Sequence, residues 1–257
     1  MTGVRFECTH RREDAVDIPV LVYRPAQPLL AISSGPLGGG IGVRRWVVNA
    51  SVPMEYHRDD PDAHLAEIAT TLGLTGTGVG FLTGVDVRRH ATASDEGVDT
   101  TATVGLGAPG WAAVPADHLS AYRPGTVNIV VRVPVRLGEA ALVNAVATAT
   151  EAKAQALWEL GLAATGTATD AVAVLCPTDG PAERYAGPRS LWGARLARAV
   201  HTAVLVGGRE WLVAGRSWSD RARLEGGSRS DRARSERGSP SERPVTDRPS
   251  EPADGLG

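Results

Sequence analysis

The feature that most constrains the fold of this chain is an alanine-rich segment bounded by Gly138 and Gly161. The segment contains no proline, and its apolar residues recur with the three-to-four-residue spacing of a helix, so it predicts one long amphipathic helix. The apolar runs on either side of it, residues 126–135 and 171–176, are short and bounded by turn residues, as strands are. Strands that alternate with long helices predict a sheet with helices packed on it.

Lys153, in the middle of this segment, is the only lysine among the 27 basic residues of the chain. The chain is rich in Ala, Gly, Val and Arg, a bias that tends to replace dispensable lysines by arginine, so Lys153 marks a position that arginine cannot fill. Its amine either reaches past the core to water or is buried with a partner and functional. The expected apolar stripe comprises Val143, Val146, Thr150, Lys153, Leu157 and Leu160, with Asn144, Thr148, Gln155 and Glu159 opposite.

Composition and charge exclude several classes of protein. A hydrophobic content of 42% and a formal charge of −2 are typical of a globular protein and give no sign of nucleic-acid binding. No apolar run reaches the about 18 residues of a membrane span, and the N-terminus lacks a signal-peptide pattern, so we expect a cytoplasmic protein without a membrane partner. Cys8 and Cys176 are far apart in the sequence, so no disulfide or zinc site is expected.

The predicted fold is α+β, with a single domain at residues 1–214. In this domain, mixed or antiparallel sheets are layered against two long helices, the second one beginning at Leu191 and ending near Val206. Residues 215–257 repeat the pentad Ser-Asp-Arg-Ala-Arg and predict a disordered, low-complexity charged tail. The predicted strands are 4–10, 20–24, 29–33, 45–52, 79–87, one between 100 and 110, 126–135 and 171–176, with a turn at 11–14 and a shorter helix at 64–72.

Two glycine-rich motifs invite a ligand interpretation. The loop 33–42 contains Gly38, Gly39 and Gly40 but lacks the Lys-Ser/Thr ending of a phosphate-binding loop, so it is either a ligand approach or a tight turn. Residues 105–110 match GxGxxG, but Pro109 follows and no helix opens, so we predict no dinucleotide site.

Three polar motifs have competing interpretations. Asn49 lies in an apolar strand and must satisfy its amide, as a structural clamp or as a substrate contact. Residues 57–64 hold two histidines and three aspartates, yet the Asp60-Pro61 pair is typical of a helix start, so we predict no metal site there. The polar loop 165–170 suits either a ligand-lining turn or an ordinary connection between helix and strand.

Several of these segments together resemble one family, the adenosylcobinamide amidohydrolases of corrinoid salvage, across roughly residues 15–207. The resemblance implies hydrolysis of the amide that joins aminopropanol to a propionate side chain of the corrin ring, with adenosylcobyric acid as product. It implies a small-molecule corrinoid substrate and no required cofactor. The segments that carry it are 33–35 with glycines 38–40, 48–53, 81–87, 124–129, 150–153, 165–171 and 185–188.

Hydrolysis of an amide needs a nucleophile or activated water, a stabiliser for the oxyanion and an acid for the departing amine. The sequence contains no GxSxG or HExxH motif. We therefore expect Glu151 or Asp170 to activate water and Lys153 or Asn49 to stabilise the charge on the carbonyl oxygen.

In an alternative mechanism, Thr150, Thr83 or Ser33 is the nucleophile and a neutral Lys153 is its base. A corrinoid-binding protein without catalysis and a structural partner remain as other functions. The metal requirement, the need for the adenosyl group, the strand order and homo-oligomerisation stay open. The expected substrate-binding residues are Ser33, Gly38, Gly39, Gly40, Thr83, Asn128, Thr167 and Thr169.

Overall fold

The computed structural model describes residues 4–114 and 125–214, and it confirms the α+β class within these ranges. A short 3-10 helix at Val87–Arg89 follows the sixth strand. The helices are α1 (Pro61–Thr71), α2 (Glu139–Glu159) and α3 (Leu191–Ala214). The strands are β1 (Glu7–Glu13), β2 (Val16–Tyr23), β3 (Leu29–Ser33), β4 (Gly40–Arg44), β5 (Val47–Ser51), β6 (Val79–Thr83), β7 (Ala91–Asp95), β8 (Val98–Gly105), β9 (Thr126–Arg132) and β10 (Ala171–Cys176).

The strands form two mixed sheets, as predicted. The four-stranded sheet has the order β1-β2-β5-β6, in which only β5 and β6 are parallel. The six-stranded sheet has the order β4-β3-β10-β9-β8-β7, in which only β9 and β10 are parallel. Each sheet therefore has one parallel pair of strands, which lies at the edge of the four-stranded sheet and in the middle of the six-stranded sheet.

The two sheets pack face to face, and helices cover their outer faces. Phe81 and Val47 of the four-stranded sheet share one apolar cluster with Val130 and Leu175 of the six-stranded sheet. A second cluster joins α1 to the outer face of the four-stranded sheet, and a third joins α2 and α3 to the outer face of the six-stranded sheet. The domain thus has four layers, and β5 and β10 are buried along their whole length because both of their faces are covered.

Helix α2 packs through a different stripe from the predicted one. Lys153 and Leu157 are buried as expected, but Val143 and Thr150 are exposed and Thr148 is buried. The buried stripe is rich in alanine, which lets the helix lie close to the sheet and to α3. The alanines that set this face are Ala141, Ala145, Ala149, Ala152 and Ala156.

The first hairpin turns later than predicted. Strand β1 continues to Glu13, and the turn is formed by Asp14 and Ala15, whose φ values of 46° and 65° are those of a tight two-residue hairpin turn. Arg11, assigned to the turn from its charge, lies buried within the strand. Charge alone did not mark the turn, because Arg11 has Glu13 as a partner.

The remaining differences lie at the ends and edges of elements. The edge strands β4 and β7 were not predicted, because glycines and short polar residues obscure the strand pattern. The predicted strand 79–87 ends at Thr83, and α3 continues well past the predicted end at residue 206. The predicted tail, residues 215–257, lies outside the described residues. No helix in the described part of the chain is long and apolar enough to cross a membrane.

Candidate active site

A cavity of about 420 Å³ opens at one end of the two parallel strand pairs. There the carboxyl ends of β5 and β6 meet the amino ends of β9 and β10, since the lining includes residues 52–54 and 81–84 together with Thr126, Asn128, Thr169 and Ala171. Its volume is in the range of small-molecule sites. The polar side chains that line it include those of Tyr56, Thr83, Thr126, Asn128 and Thr169.

Asn128 is held in the wall of this pocket by a buried chain of amides. Its Nδ2 donates to Leu82 O and to Asn49 Oδ1, each at 3.0 Å. Asn49 Nδ2 in turn donates to Thr103 Oγ1 at 2.9 Å. Because a backbone carbonyl only accepts, the Leu82 contact fixes which end of the Asn128 amide is nitrogen. Both amide hydrogens are then used, and since no donor from residues 4–114 or 125–214 binds Asn128 Oδ1, this oxygen can accept a hydrogen bond from a ligand.

Thr83 presents a hydroxyl to the same pocket. The side chain is almost fully buried, and its Oγ1 accepts a hydrogen bond from Val85 N at 3.1 Å. Ser51 binds the same loop, because its hydroxyl donates to Val85 O at 2.7 Å and accepts from Val87 N at 3.1 Å. Across residues 4–114 and 125–214 no acceptor takes the Thr83 hydroxyl proton, so Thr83 can donate to a ligand.

Lys153 forms a buried ion pair with Asp170, so its amine does not reach past the core to water. The side chains of Lys153 and Asp170 are only 8% and 10% exposed. Asp170 also accepts from Val127 N at 2.8 Å and from Thr167 N at 3.0 Å, while Thr167 Oγ1 lies 2.5 Å from Asp170 Oδ1. A buried carboxylate with this many donors is satisfied, as burial of a charge requires.

The ion pair lies directly behind the pocket wall. Thr169 Oγ1 lies 2.7 Å from Thr126 Oγ1 and within hydrogen-bonding distance of Gly125 O. The Thr167 hydroxyl lies 2.7 Å from the same carbonyl oxygen. Thr126 and Thr169 line the pocket, whereas Lys153 and Asp170 are not among its lining residues. The pair therefore ties the start of β9 to the loop before β10, and it positions this part of the wall.

The other predicted site residues lie apart from the pocket. Thr150 and Glu151 are on the exposed side of α2, where the Thr150 hydroxyl donates to Val146 O at 2.9 Å. Ser33 is buried and accepts from Gly35 N at 2.9 Å.

The glycine loop belongs to a turn between β3 and β4. Gly38 and Gly40 have positive φ, and the Arg44 guanidinium donates to Gly38 O at 3.0 Å. Gly38 lines a different cavity of about 370 Å³, between this turn and α1. Gly39 belongs to the turn between β3 and β4, and Gly40 is the first residue of β4.

A second polar network reaches the pocket and was missed in the sequence. His64 Nε2 lies 2.7 Å from Glu13 Oε1, and its Nδ1 lies 3.1 Å from the hydroxyl of Tyr56, which lines the pocket. Arg11 holds Glu13 from the other side through contacts of 2.9 and 3.2 Å. The one signal was the run 57–64, whose two histidines and three aspartates were assigned to a helix start and not to a site. In the described ranges no three His, Cys, Asp or Glu side chains are grouped closely enough to hold a metal ion.

The environment shifts two groups of this network. Burial raises the pKa of the Tyr56 hydroxyl. Burial also acts to raise the pKa of Glu13, but the hydrogen bonds from Arg11 and His64 outweigh it and leave that pKa below its ordinary value. Glu13 is thus held as a carboxylate and Tyr56 as a neutral phenol.

Known proteins match most of this chain in sequence. The profile of the family described as adenosylcobinamide amidohydrolase matches residues 5–215. Adenosylcobinamide amidohydrolase from Methanosarcina mazei is 31% identical over 188 residues, 69% of this chain and 88% of that protein. The protein of the same name from Halobacterium salinarum is 34% identical over 184 residues, 67% of this chain and 77% of that protein.

Among solved structures, the PH0078 protein from Pyrococcus horikoshii OT3 aligns with a TM-score of 0.43 and 11% identity, over 80% of this chain and 84% of that one. A likeness at that level carries no conclusion about function. The family profile, by contrast, spans nearly all the described residues, and both curated relatives share about a third of their aligned residues with this chain. The chain belongs to the adenosylcobinamide amidohydrolase family.

Proposed function

We propose that this protein hydrolyses the amide that joins aminopropanol to the corrin ring of adenosylcobinamide, releasing aminopropanol and adenosylcobyric acid for corrinoid salvage. The observation that carries the proposal is that segments far apart in the sequence, each part of the family resemblance, meet at one pocket. Residues of the segments 48–53, 81–87, 124–129 and 165–171 line this pocket, Asn128 contacts Leu82 there, and Lys153 pairs with Asp170 behind the wall. Water is the only co-substrate that this reaction consumes.

The size of the pocket indicates which part of such a substrate enters it. A cavity of about 420 Å³ accommodates a short side chain, but not a corrin macrocycle with its adenosyl group. The macrocycle therefore stays at the mouth, and the aminopropanol arm enters. In this proposal the scissile amide lies between the two sheets, among the side chains of the β6, β9 and β10 ends.

Two pocket residues match the hydrogen-bonding groups of a secondary amide. Thr83 has a proton to donate to the amide oxygen, and Asn128 Oδ1 accepts from the amide N–H. A donation to the oxygen strengthens as negative charge develops there during attack by water. Asn49 acts through Asn128, because it fixes the orientation of that amide.

The Lys153–Asp170 pair supports the same pocket from behind. It holds Thr167 and the backbone of Val127, and through them the wall formed by Thr126 and Thr169. Lys153 and Asp170 are therefore positioning residues in this mechanism. Replacing either one loosens the wall and lowers kcat without removing a group that touches the substrate.

The experiment is incubation of the purified protein with adenosylcobinamide, followed by mass spectrometry for adenosylcobyric acid and free aminopropanol. We expect both products in equal amounts. Binding of adenosylcobinamide without either product would instead support a corrinoid-binding protein without catalysis. Thr83→Val tests the pocket, and Thr92→Val, an exposed threonine on the edge strand β7, is its matched control.

A further inference from the structure

We propose that Tyr56 carries the proton from the attacking water to the departing amine in this pocket, with His64 and Glu13 as its positioning residues. The inference rests on the proposed amide hydrolysis and extends it to residues that the family resemblance did not include. Tyr56 lies in the loop between β5 and α1, and it lines the same cavity as Thr83 and Asn128.

The hydrogen bonds indicate which atom donates and which accepts at each contact of the network. Arg11 binds Glu13 at both carboxylate oxygens, so Glu13 is an ionised group that only accepts. His64 Nε2, 2.7 Å from Glu13, must then carry a proton. In the ring tautomer with its proton on Nε2, the lone pair is on Nδ1, which is the acceptor for the Tyr56 hydroxyl 3.1 Å away.

The burial of the network sets it apart from a surface contact. His64 is 5% exposed and Arg11 is 4% exposed, so both are shielded from bulk water. The tyrosine ring also stacks on the His64 ring, with centroids 5.5 Å apart and planes inclined by 16°. The phenol oxygen contacts His64, and the tyrosine side chain also lines the cavity.

The proton balance of the reaction closes within this network. As the water oxygen bonds to the amide carbon, a water proton passes to the Tyr56 oxygen, while the Tyr56 proton passes to His64 Nδ1. Glu13 stabilises the resulting imidazolium. As the C–N bond breaks, His64 returns the proton through Tyr56 to the amine nitrogen, so the acid and the amine leave and the network is restored.

The test compares two leaving groups on the same acid. One substrate is adenosylcobinamide, and the other is the 4-nitrophenyl ester of adenosylcobyric acid, whose leaving group departs without a proton. For Tyr56→Phe we expect kcat on the amide to fall by about 10²–10⁴-fold, the usual effect of losing acid–base catalysis. The ester still needs a base for the attacking water but no acid for its leaving group, so its loss should be at least about tenfold smaller.

A purely structural Tyr56 would give a different pattern. A displaced loop would impair both substrates by the same factor, and that result, or an undiminished rate on the amide, overturns the proposal. If the wild-type protein cleaves neither substrate, the amidohydrolase function itself fails. If it cleaves the amide and Tyr56→Phe loses equally on both, the function stands and only the proton carrier is wrong.

A second variant tests the network from behind the pocket. His64→Gln should show the same dependence on the leaving group, with a smaller loss on the amide, because Tyr56 remains but its proton acceptor is gone. The matched controls are Tyr23→Phe, which removes a buried hydroxyl elsewhere, and His201→Gln, which breaks a His–Glu pair on the helices. Both controls should keep wild-type rates on both substrates.

Discussion

Replacement of Lys153 by methionine should destabilise the folded protein more than any surface charge substitution. Methionine keeps the length of the side chain but removes the ammonium group, and Asp170 remains buried without its cation. Removing one partner of a buried ion pair costs about 3–5 kcal/mol. Asp170 keeps two backbone N–H donors and the Thr167 hydroxyl, which places Lys153→Met near the lower end, at about 3 kcal/mol.

The size of the effect can be followed by urea denaturation and by thermal unfolding, both monitored by circular dichroism. For a domain of this size about 1 kcal/mol corresponds to about 2–4 °C, so the midpoint should fall by about 6–12 °C. The double variant Lys153→Met/Asp170→Asn should recover part of the loss, because the carboxylate is no longer charged. A coupling energy of about 0.5–3 kcal/mol is the range for residues in direct contact.

A matched control separates the buried pair from charge removal in general. Arg198→Met breaks an exposed pair with Asp95 and should change the free energy of unfolding very little. The reasoning fails if Lys153→Met unfolds within about 1 kcal/mol of the wild type, or if the effects of the Lys153 and Asp170 substitutions simply add.

Three further substitutions or conditions test the site. Gly166→Ala would place a methyl group 2.5 Å from the Asp170 carboxylate, so we expect about 1–3 kcal/mol of destabilisation and lower activity. A methyl group at Gly110 would meet nothing within 4 Å, so Gly110→Ala should be neutral in the same unfolding and activity assays. Thr83→Val should lower kcat by about 10-fold or more and also cost about 1–3 kcal/mol of stability, because Val85 N loses its acceptor, and Thr83→Ser should restore both; an unchanged kcat in Thr83→Val would remove the hydroxyl from the mechanism. The pKa of Glu13 is lowered in the folded state, so its stabilising effect should be present above its ordinary pKa and lost as the pH falls through the folded-state value. In Glu13→Gln this loss of the free energy of unfolding at acid pH should be smaller, as measured by urea unfolding against pH.

The elements with strong local patterns could be predicted closely. Strands β3 and β10 have the predicted ends, and the ends of α2 lie next to the glycines that bound the segment. The helix start at Asp60-Pro61 is also as predicted, although the Asp60 carboxylate binds Arg58 rather than capping the helix. The edge strands β4 and β7 and the first turn were not predictable, because their residues have no periodic apolar pattern.

The site could be predicted only in part, for a similar reason. Thr83, Asn128 and Thr169 were singled out, and they line one pocket. Thr150 and Glu151 are neighbours of Lys153 in sequence, but the helix turns them to the exposed side. Sequence proximity grouped residues that the geometry of a helix separates.

By itself, the sequence determined the family, the α+β class and the unusual status of Lys153, because these depend on local patterns and on the identity of residues. Only the tertiary structure decided that Lys153 pairs with Asp170 and that Glu13 meets His64, 51 residues further along the chain. Such contacts depend on the order of strands in two stacked sheets. Strand order is set by the packing of the whole chain, so no short stretch of sequence contains it.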